Sequence, residues 1–405
     1  MRDAWQRLIL AQAVNRFGDG FFSIGVSWII YTHTHSVLPL GFLWAGYLLL
    51  VGGLQSALSP LVDALDRRAV LVVLNLLRAV IVVTPVLLGA FGLYRVFELY
   101  PAFVLLGIVA IPQQSAVSAL VPALVPEDHL VAANARLQGV MESMYLLGPA
   151  VAGFALAAFG ALSGLAIDGA TFLMAAALLM TLPPVRAAGH DPGQAYRHAL
   201  VEGARAIWDD RRLRLLAALA ILVQFTDVAF IVLSVPLVRT VLQGTTRGVG
   251  LLEASLSGGY ILGAWLIGRF ASRIRRESRW ALVVVFCLAT AGIAVVPRLA
   301  WALFTQVVGG VADSIFQVEW EATFQGAVED RHLGRVFMWQ AGAQRTAGGF
   351  GAIVAGMVAF ALGIPAAFVI LGLLGAVLST WVLATLRRLP EGLILTRETA
   401  PPSRS

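Results

Sequence analysis

Several carboxylates and guanidiniums stand inside long apolar runs of this chain, where their chemistry is proton binding, cation holding and ion pairing. Asp19 lies in Asn15-Arg16-Phe17-Gly18-Asp19-Gly20, and Asp227 in Gln224-Phe225-Thr226-Asp227. Glu142, Asp313 and Arg345 are similarly placed, in Met141-Glu142-Ser143, Ala312-Asp313-Ser314 and Gln344-Arg345-Thr346. An ionisable group in hydrocarbon costs about 2.5–3.5 kcal/mol on insertion scales, so it faces a cavity or a partner. Asp19 and Asp227 are therefore candidates to bind protons or to hold a cation; a structural aspartate, or neutralisation of Asp19 by Arg16 one turn away, is the alternative. Glu142 and Arg345 are a candidate ion pair, or Glu142 titrates and Arg345 tunes it. Gln113 and Gln114 are neutral hydrogen-bonding candidates for the same space.

Other polar residues invite plainer readings. Glu319 and Glu321 fall near one end of an apolar run and read as interfacial. Asp168 and Glu253 fall near the opposite end and read as solvated. Arg78 and Arg136 have stems long enough to snorkel to the headgroups. His33 and His35 lack further ligands, so no metal site is expected, and the lone Cys287 excludes a disulfide within one chain. No lysine occurs, so no G-x-x-x-x-G-K-[ST] phosphate loop is possible, and neither a nucleophile elbow nor H-E-x-x-H is present. No enzyme activity and no cofactor are expected; work would draw on an ion gradient, that of protons first.

The elements that must position these groups are membrane spans. Of 405 residues 59% are hydrophobic and 13% charged, about half the charge of an ordinary soluble domain, near 25%. A span needs about 20 mainly apolar residues. Twelve runs qualify: 8–32, 39–61, 69–94, 98–124, 130–159, 162–182, 213–240, 248–270, 280–297, 299–322, 333–362 and 365–386. At about 1.5 Å per residue, Asp19 is roughly 18 Å along the first helix from Arg7. Eighteen arginines, among them Arg67, Arg68, Arg211, Arg212, Arg275 and Arg276, fall in the termini and alternate loops. Only Arg95, Arg239, Arg247 and Arg298 fall in the opposite loops. The positive-inside rule then places both termini in the cytoplasm. These scattered arginines are topology signals, so no nucleic-acid partner is expected despite a net charge of +6. The first run carries Asn15, Arg16 and Asp19 and leads into further spans, unlike a cleavable signal. Residues 183–212 read as a cytoplasmic linker, with Leu200, Ala204, Ile207 and Trp208 on one face of an interfacial helix. Residues 389–405 read as a disordered tail.

Internal similarity divides the spans into halves, 1–182 and 213–388. Arg16-Phe17-Gly18-Asp19 aligns with Gln224-Phe225-Thr226-Asp227 at an offset of 208 (227 − 19), bringing Phe22 onto Phe230 and Thr32 onto Thr240. Further along, Glu127-Asp128-His129-Leu130 aligns with Asp330-Arg331-His332-Leu333 at an offset of 203 (330 − 127). Gly148, Gly153 and Gly160 then meet Gly351, Gly356 and Gly363, and Glu142 meets Arg345. Two parallel six-helix repeats place a substrate site near midplane between them, reached by rocking of the halves.

The chain resembles the major facilitator superfamily, and within it the bacterial drug-exporter branch that includes macrolide and siderophore exporters. Ser59-Pro60-Leu61-Val62-Asp63-Ala64-Leu65-Asp66-Arg67-Arg68 is similar to the family's loop between the second and third helices. Asp63, Asp66, Arg67 and Arg68 match it, whereas Ser59 replaces a glycine and Ala64 an arginine. The resemblance implies a gating latch at the cytoplasmic ends, with Arg331 or Arg335 as partner for Asp63. Leu124-Val125-Pro126-Glu127-Asp128-His129-Leu130 resembles the loop before the fifth helix. Gly148-Pro149 with Gly153 resembles the antiporter signature, with Met144 and Ala135 where further glycines would stand.

From this resemblance the expected fold is an all-α bundle of twelve transmembrane helices in a bacterial cytoplasmic membrane. The expected function is proton-coupled efflux of amphipathic small molecules by a monomer. An importer or a lysophospholipid flippase of the same fold is the alternative, ahead of a non-transporting sensor or scaffold.

Overall fold

The computed structural model describes residues 2–58, 66–184, 201, 203–271, 273–328 and 333–388. Twelve long helices are found among them: α1 (Arg2–Thr34), α2 (Leu38–Leu58), α3 (Arg67–Ala90), α4 (Leu99–Leu124), α5 (Leu130–Phe159), α6 (Ser163–Met180), α7 (Arg211–Pro236), α8 (Thr246–Phe270), α9 (Arg276–Gly292), α10 (Leu299–Ala327), α11 (Leu333–Leu362) and α12 (Ile364–Arg387). Among the described residues, nine of these helices are long and apolar enough to cross a membrane by length and composition. Of the other three, α1 falls short because Asn15, Arg16, Asp19 and His33 dilute its apolar run, α9 because it has only 17 residues, and α2 counts only over Leu38–Leu54 among the described residues.

The helix ends differ from the sequence expectation where a helix outlasts its apolar stretch. α1 starts at Arg2 rather than residue 8, and α10 runs to Ala327 rather than 322. Hydropathy senses hydrocarbon, whereas backbone hydrogen bonding continues into the polar interface. α9 instead stops at Gly292, short of 297. Local chemistry sets other ends. Asp66 and Asp210 accept the backbone N–H of Arg68 (3.0 Å) and Arg212 (2.7 Å), satisfying otherwise orphaned donors at the starts of α3 and α7. Gly160 and Gly363 follow α5 and α11 with φ of +84° and +90°, a region glycine reaches without steric penalty. These two glycines are partners in the repeat.

Packing repeats as the sequence does. In the first six helices α1 lies on α5 and α6, α2 on α4, and α3 on α4 and α6. In the second six, α7 lies on α11 and α12, α8 on α10, and α9 on α10 and α12. Between the halves, α2 meets α11 and α5 meets α8. Both seams are lined by glycine. A Cβ added to Gly153 would stand 2.5 Å from Gly250 N, and one added to Gly41 would stand 2.8 Å from Ala352 O. Small residues bring helix backbones this close, where dispersion rather than the hydrophobic effect holds helices together.

The apolar core is divided unequally. One cluster crosses both halves on the side away from the chain termini, joining Ile24, Ile30, Leu40 and Leu156 with Val232, Leu237, Val249 and Ala355. On the terminus side each half keeps its own cluster. Leu8, Leu71, Leu120 and Leu179 form one, and Leu216, Trp280, Phe316 and Phe324 the other. The apolar core is thus continuous between the halves at the far side and divided at the terminus side. Ile207, from the segment before α7, is buried in the second of these clusters, while Trp208 is exposed.

Candidate functional site

In the first half, four helices converge on one guanidinium. Arg78 of α3 donates to Asp19 Oδ1 of α1 at 2.7 Å and to Gln113 Oε1 of α4 at 2.9 Å. Its guanidinium carbon lies 4.0 Å from the centroid of the Phe172 ring of α6. Arg78 is 6% exposed and faces inward, so it does not snorkel as expected. The physical reason is Asp19, whose charge at this depth needs a partner, and the rigid guanidinium fork can meet a carboxylate, an amide and a ring together. Arg16, the partner expected from sequence, is second in rank at 3.7 Å from Asp19 Oδ2. About a third of the Asp19 side chain remains accessible.

Asp168 is fully buried rather than solvated. It accepts from Thr171 Oγ1 at 3.3 Å, and its Oδ2 has no hydrogen-bond donor among the described residues. Although near the start of α6, it lies against Gly18, and the absent glycine side chain makes room for it.

The second half answers with acids alone. Asp227 occupies the Asp19 position on α7, partly buried, and no arginine among the described residues pairs with it. Asp313 of α10 is 2% exposed; the Tyr260 hydroxyl of α8 donates to its Oδ2, the Gln317 side chain lies within reach of the same carboxylate, and its Oδ1 has no close donor among the described residues. Asp227 lies within electrostatic range of Asp313 and of Glu253. Glu253 is half-buried in this interhelical space rather than solvated at a loop.

Tyr145 of α5 joins the two groups, and nothing in the sequence marks it. Arg16 lies over its ring at 4.4 Å, while Asp227, Glu253 and Glu142 are within electrostatic range of the same residue. Tyr47, with Trp44 and Phe103, forms an aromatic wall beside Asp19, with ring centroids 5.0–5.2 Å apart at Phe103. Phe22 stacks on the same Phe103 ring at 5.5 Å. The repeat offset could have flagged Tyr145, because its counterpart is Gly348 and the position changes from ring to nothing between halves.

The remaining candidates scatter. Glu142 is exposed on α5, and Arg345 lies on α11 beside Gly52 of α2, where an added Cβ would be 3.3 Å from its own. The two residues are not ion-paired in this state, since α5 and α11 serve different seams. Gln114 is exposed, unlike its neighbour Gln113. Glu319, expected at the interface, is buried between Arg276 Nε and Arg279 NH1, each 2.5 Å away. Two cations at the start of α9 make that burial possible. In the loop motif, Asp66 caps α3, and Arg68 donates to the Met180 carbonyl at the end of α6. Arg67 is half-buried beside them. Asp63, Arg331 and the expected contact between them lie outside the described residues. Gly148 and Pro149 meet α1, an added Cβ at Gly148 falling 2.6 Å from Phe17 O, and Gly153 meets α8. No group of three metal-ligating side chains occurs among the described residues.

Two six-helix units around charged groups within long apolar helices define a multi-pass membrane protein. Residues 8–341 match the model of the Major Facilitator Superfamily, and the chain belongs to that family. Multidrug efflux pump Tap of Mycolicibacterium fortuitum is 28% identical, over 88% of this chain and 89% of that protein. Macrolide efflux protein A of Enterococcus faecalis is 23% identical, over 69% of this chain and 88% of that one. Among solved structures, the nucleoside transporter NupG superposes with a TM-score of 0.71 at 13% identity, covering 95% of this chain and 99% of that one. A bacterial homologue of the human lysosomal transporter Spinster, inward-facing and unoccupied, also gives 0.71, at 17% identity over 94% and 96%.

Proposed function

We propose that the protein is a proton-coupled exporter of amphipathic small molecules, working by alternating access as a monomer in a bacterial cytoplasmic membrane. Arginine-rich loops on the terminus side support placing both termini in the cytoplasm, and the state described is then open inward. One observation carries the coupling assignment: Asp19 is held by Arg78 and Arg16 at membrane depth yet keeps a third of its side chain accessible. Protonating Asp19 from outside weakens its hold on two arginines, and substrate entering from the cytoplasm favours the proton's release. Glu142, exposed one turn from Tyr145, is the second candidate for this role. The exporter reading draws on the relatives named for efflux.

Everted membrane vesicles energised to be acid inside test it with a macrolide and ethidium as probes. Asp19→Asn together with Glu142→Gln is expected to abolish proton-driven accumulation of the probes. Accumulation that persists in the double variant with unchanged pH dependence rejects the assignment. Accumulation only in right-side-out vesicles would instead support the importer reading.

A further inference from the structure

The two acids inside the first half are held very differently. Asp19 accepts from Arg78 at 2.7 Å and has Arg16 at 3.7 Å. Asp168, packed against Gly18, is fully buried, and no cation among the described residues is bonded to it. The Thr171 hydroxyl lies 2.7 Å from the Asp168 main-chain carbonyl and 3.3 Å from its Oδ1, so its single hydrogen serves the nearer oxygen. Oδ2 meets no donor at all among the described residues. Of the helices packed on α6, α1 brings Asp19 and α3 brings Arg78 within electrostatic range of Asp168, and α5 brings no charged group there. Arg7 and Arg68 are occupied at the other end of α6, on the carbonyls of Thr181 and Met180. Ionised in this place, Asp168 would be a buried charge without a partner; taking up a proton removes that cost.

Arg78 has a donor to spare. Its terminal nitrogens serve Gln113 and Asp19, while its buried Nε meets no acceptor. The guanidinium rests on the ring of Phe172, which stands four residues from Asp168 and therefore on the same face of α6. An unused donor and an unused acceptor thus lie on one side of one helix. The repeat removes both groups together. Counted from the caps Asp66 and Arg275, Arg78 corresponds to Cys287 (an offset of 209, 287 − 78). Counted from Gly160 and Gly363, Asp168 corresponds to the buried Leu371 (an offset of 203, 371 − 168). Asp19 keeps its counterpart, Asp227. Asp168 therefore goes with the guanidinium rather than with the fold.

Resting on the proton-coupling reading above, we infer that Asp168 is a second proton site, which holds a proton inside the first half while Asp19 is ionised and trades it with Asp19 as Arg78 passes from one acid to the other. In that exchange the O–H bond on Asp168 breaks and one forms on Asp19, with Arg78 beside whichever carboxylate is charged. One guanidinium, one carboxylate and one acid keep the interior neutral throughout. Asp19, with a third of its side chain accessible, is where the proton enters and leaves. Asp168, with no accessible surface, is where it is held.

The test uses the full chain in nanodiscs and proteoliposomes, with ethidium as the probe. Infrared difference spectra between light and heavy water should show the carbonyl stretch of a buried protonated carboxyl. Asp168→Asn should delete that band, whereas Glu277→Gln, which removes an exposed acid at the start of α9, leaves it. Asparagine has the shape of the protonated acid and cannot give up its proton. Asp168→Asn is therefore expected to keep the wild-type melting temperature and ethidium exchange at equal concentrations, and to lose proton-driven accumulation at least tenfold. Wild-type proton-driven accumulation in Asp168→Asn, or a band that survives it, overturns the inference. If Asp168→Asn does not fold, Asp168→Glu decides, since it must shift the band in frequency; an unmoved band overturns the inference. A band that belongs to Asp168 in a protein that never couples ethidium to protons counts for the buried acid and against the coupling reading. Equal proton-driven accumulation in wild type and Asp168→Asn does the reverse.

Discussion

The Arg78 guanidinium of α3 lies 2.7 Å from the Asp19 carboxylate of α1, and the same group serves Gln113 and the face of Phe172. One side chain thus ties four helices of the first half into a unit. Lysine cannot reproduce this, having neither a planar fork nor a stacking surface. Arg78→Lys is expected to lower the melting temperature and abolish transport. Arg78→Leu should destabilise by about 1.5–3 kcal/mol, the range for hydrogen bonds to charged groups. Adding Asp19→Asn to Arg78→Leu should restore stability in part, by removing the stranded carboxylate, without restoring transport. Thermal melts and vesicle transport on the three variants check the split.

The seam between α5 and α8 admits no side chain at Gly153. Gly153→Val is expected to wedge the halves apart on the far side and shift the population away from the arrangement described above. In a Cys287→Ser background, Val249→Cys, buried in the far-side cluster, should resist a membrane-impermeant maleimide and become labelled once Gly153→Val is added. Labelling that does not change would show that the seam is not the far-side seal.

Glu319 joins α10 to α9 through two guanidiniums. Removing one partner from a buried pair costs about 3–5 kcal/mol, reduced here because Arg276 and Arg279 are 26% and 19% exposed. Glu319→Gln should therefore lower the melting temperature clearly while leaving probe affinity near wild type. Changed affinity with unchanged stability would place Glu319 in the pathway instead.

Glu142 and Arg345 sit on opposite seams, so in this state neither compensates the other. Reversing both charges, Glu142→Arg with Arg345→Glu, is expected to leave transport as impaired as the worse single variant. Rescue by the double reversal would require that α5 and α11 bring them together in another state.

Much of the fold was readable because hydropathy and internal repetition are properties of single residues and fixed offsets. The alignment of Asp19 with Asp227, and of Gly160 with Gly363, anticipated helix packing that recurs between halves. The site was readable only in part. Asp19, Gln113, Asp227 and Asp313 do gather in the interior, but depth along a helix says nothing of direction around it. Arg78 therefore looked able to reach the headgroups while it turns inward, and Asp168 looked solvated though it has no accessible surface. Tyr145 escaped notice because one aromatic residue among many carries no local pattern; only the contrast with Gly348 singles it out.

The two glycine seams give the far-side gate an unusual character. Where Gly41 faces Ala352 and Gly153 faces Gly250, the seam is main chain against main chain, and among the described residues the side-chain contacts beside it are few, Ser257 Oγ donating to the Leu146 carbonyl and Arg239 lying over the Trp28 ring. Its tightness is set by how closely two helix axes run, a matter of chain path. The pocket beneath is therefore free to change its chemistry over evolutionary time while the gate stays as it is, and a single methyl group at either seam is already a larger alteration to the gate than most substitutions in the pocket would be.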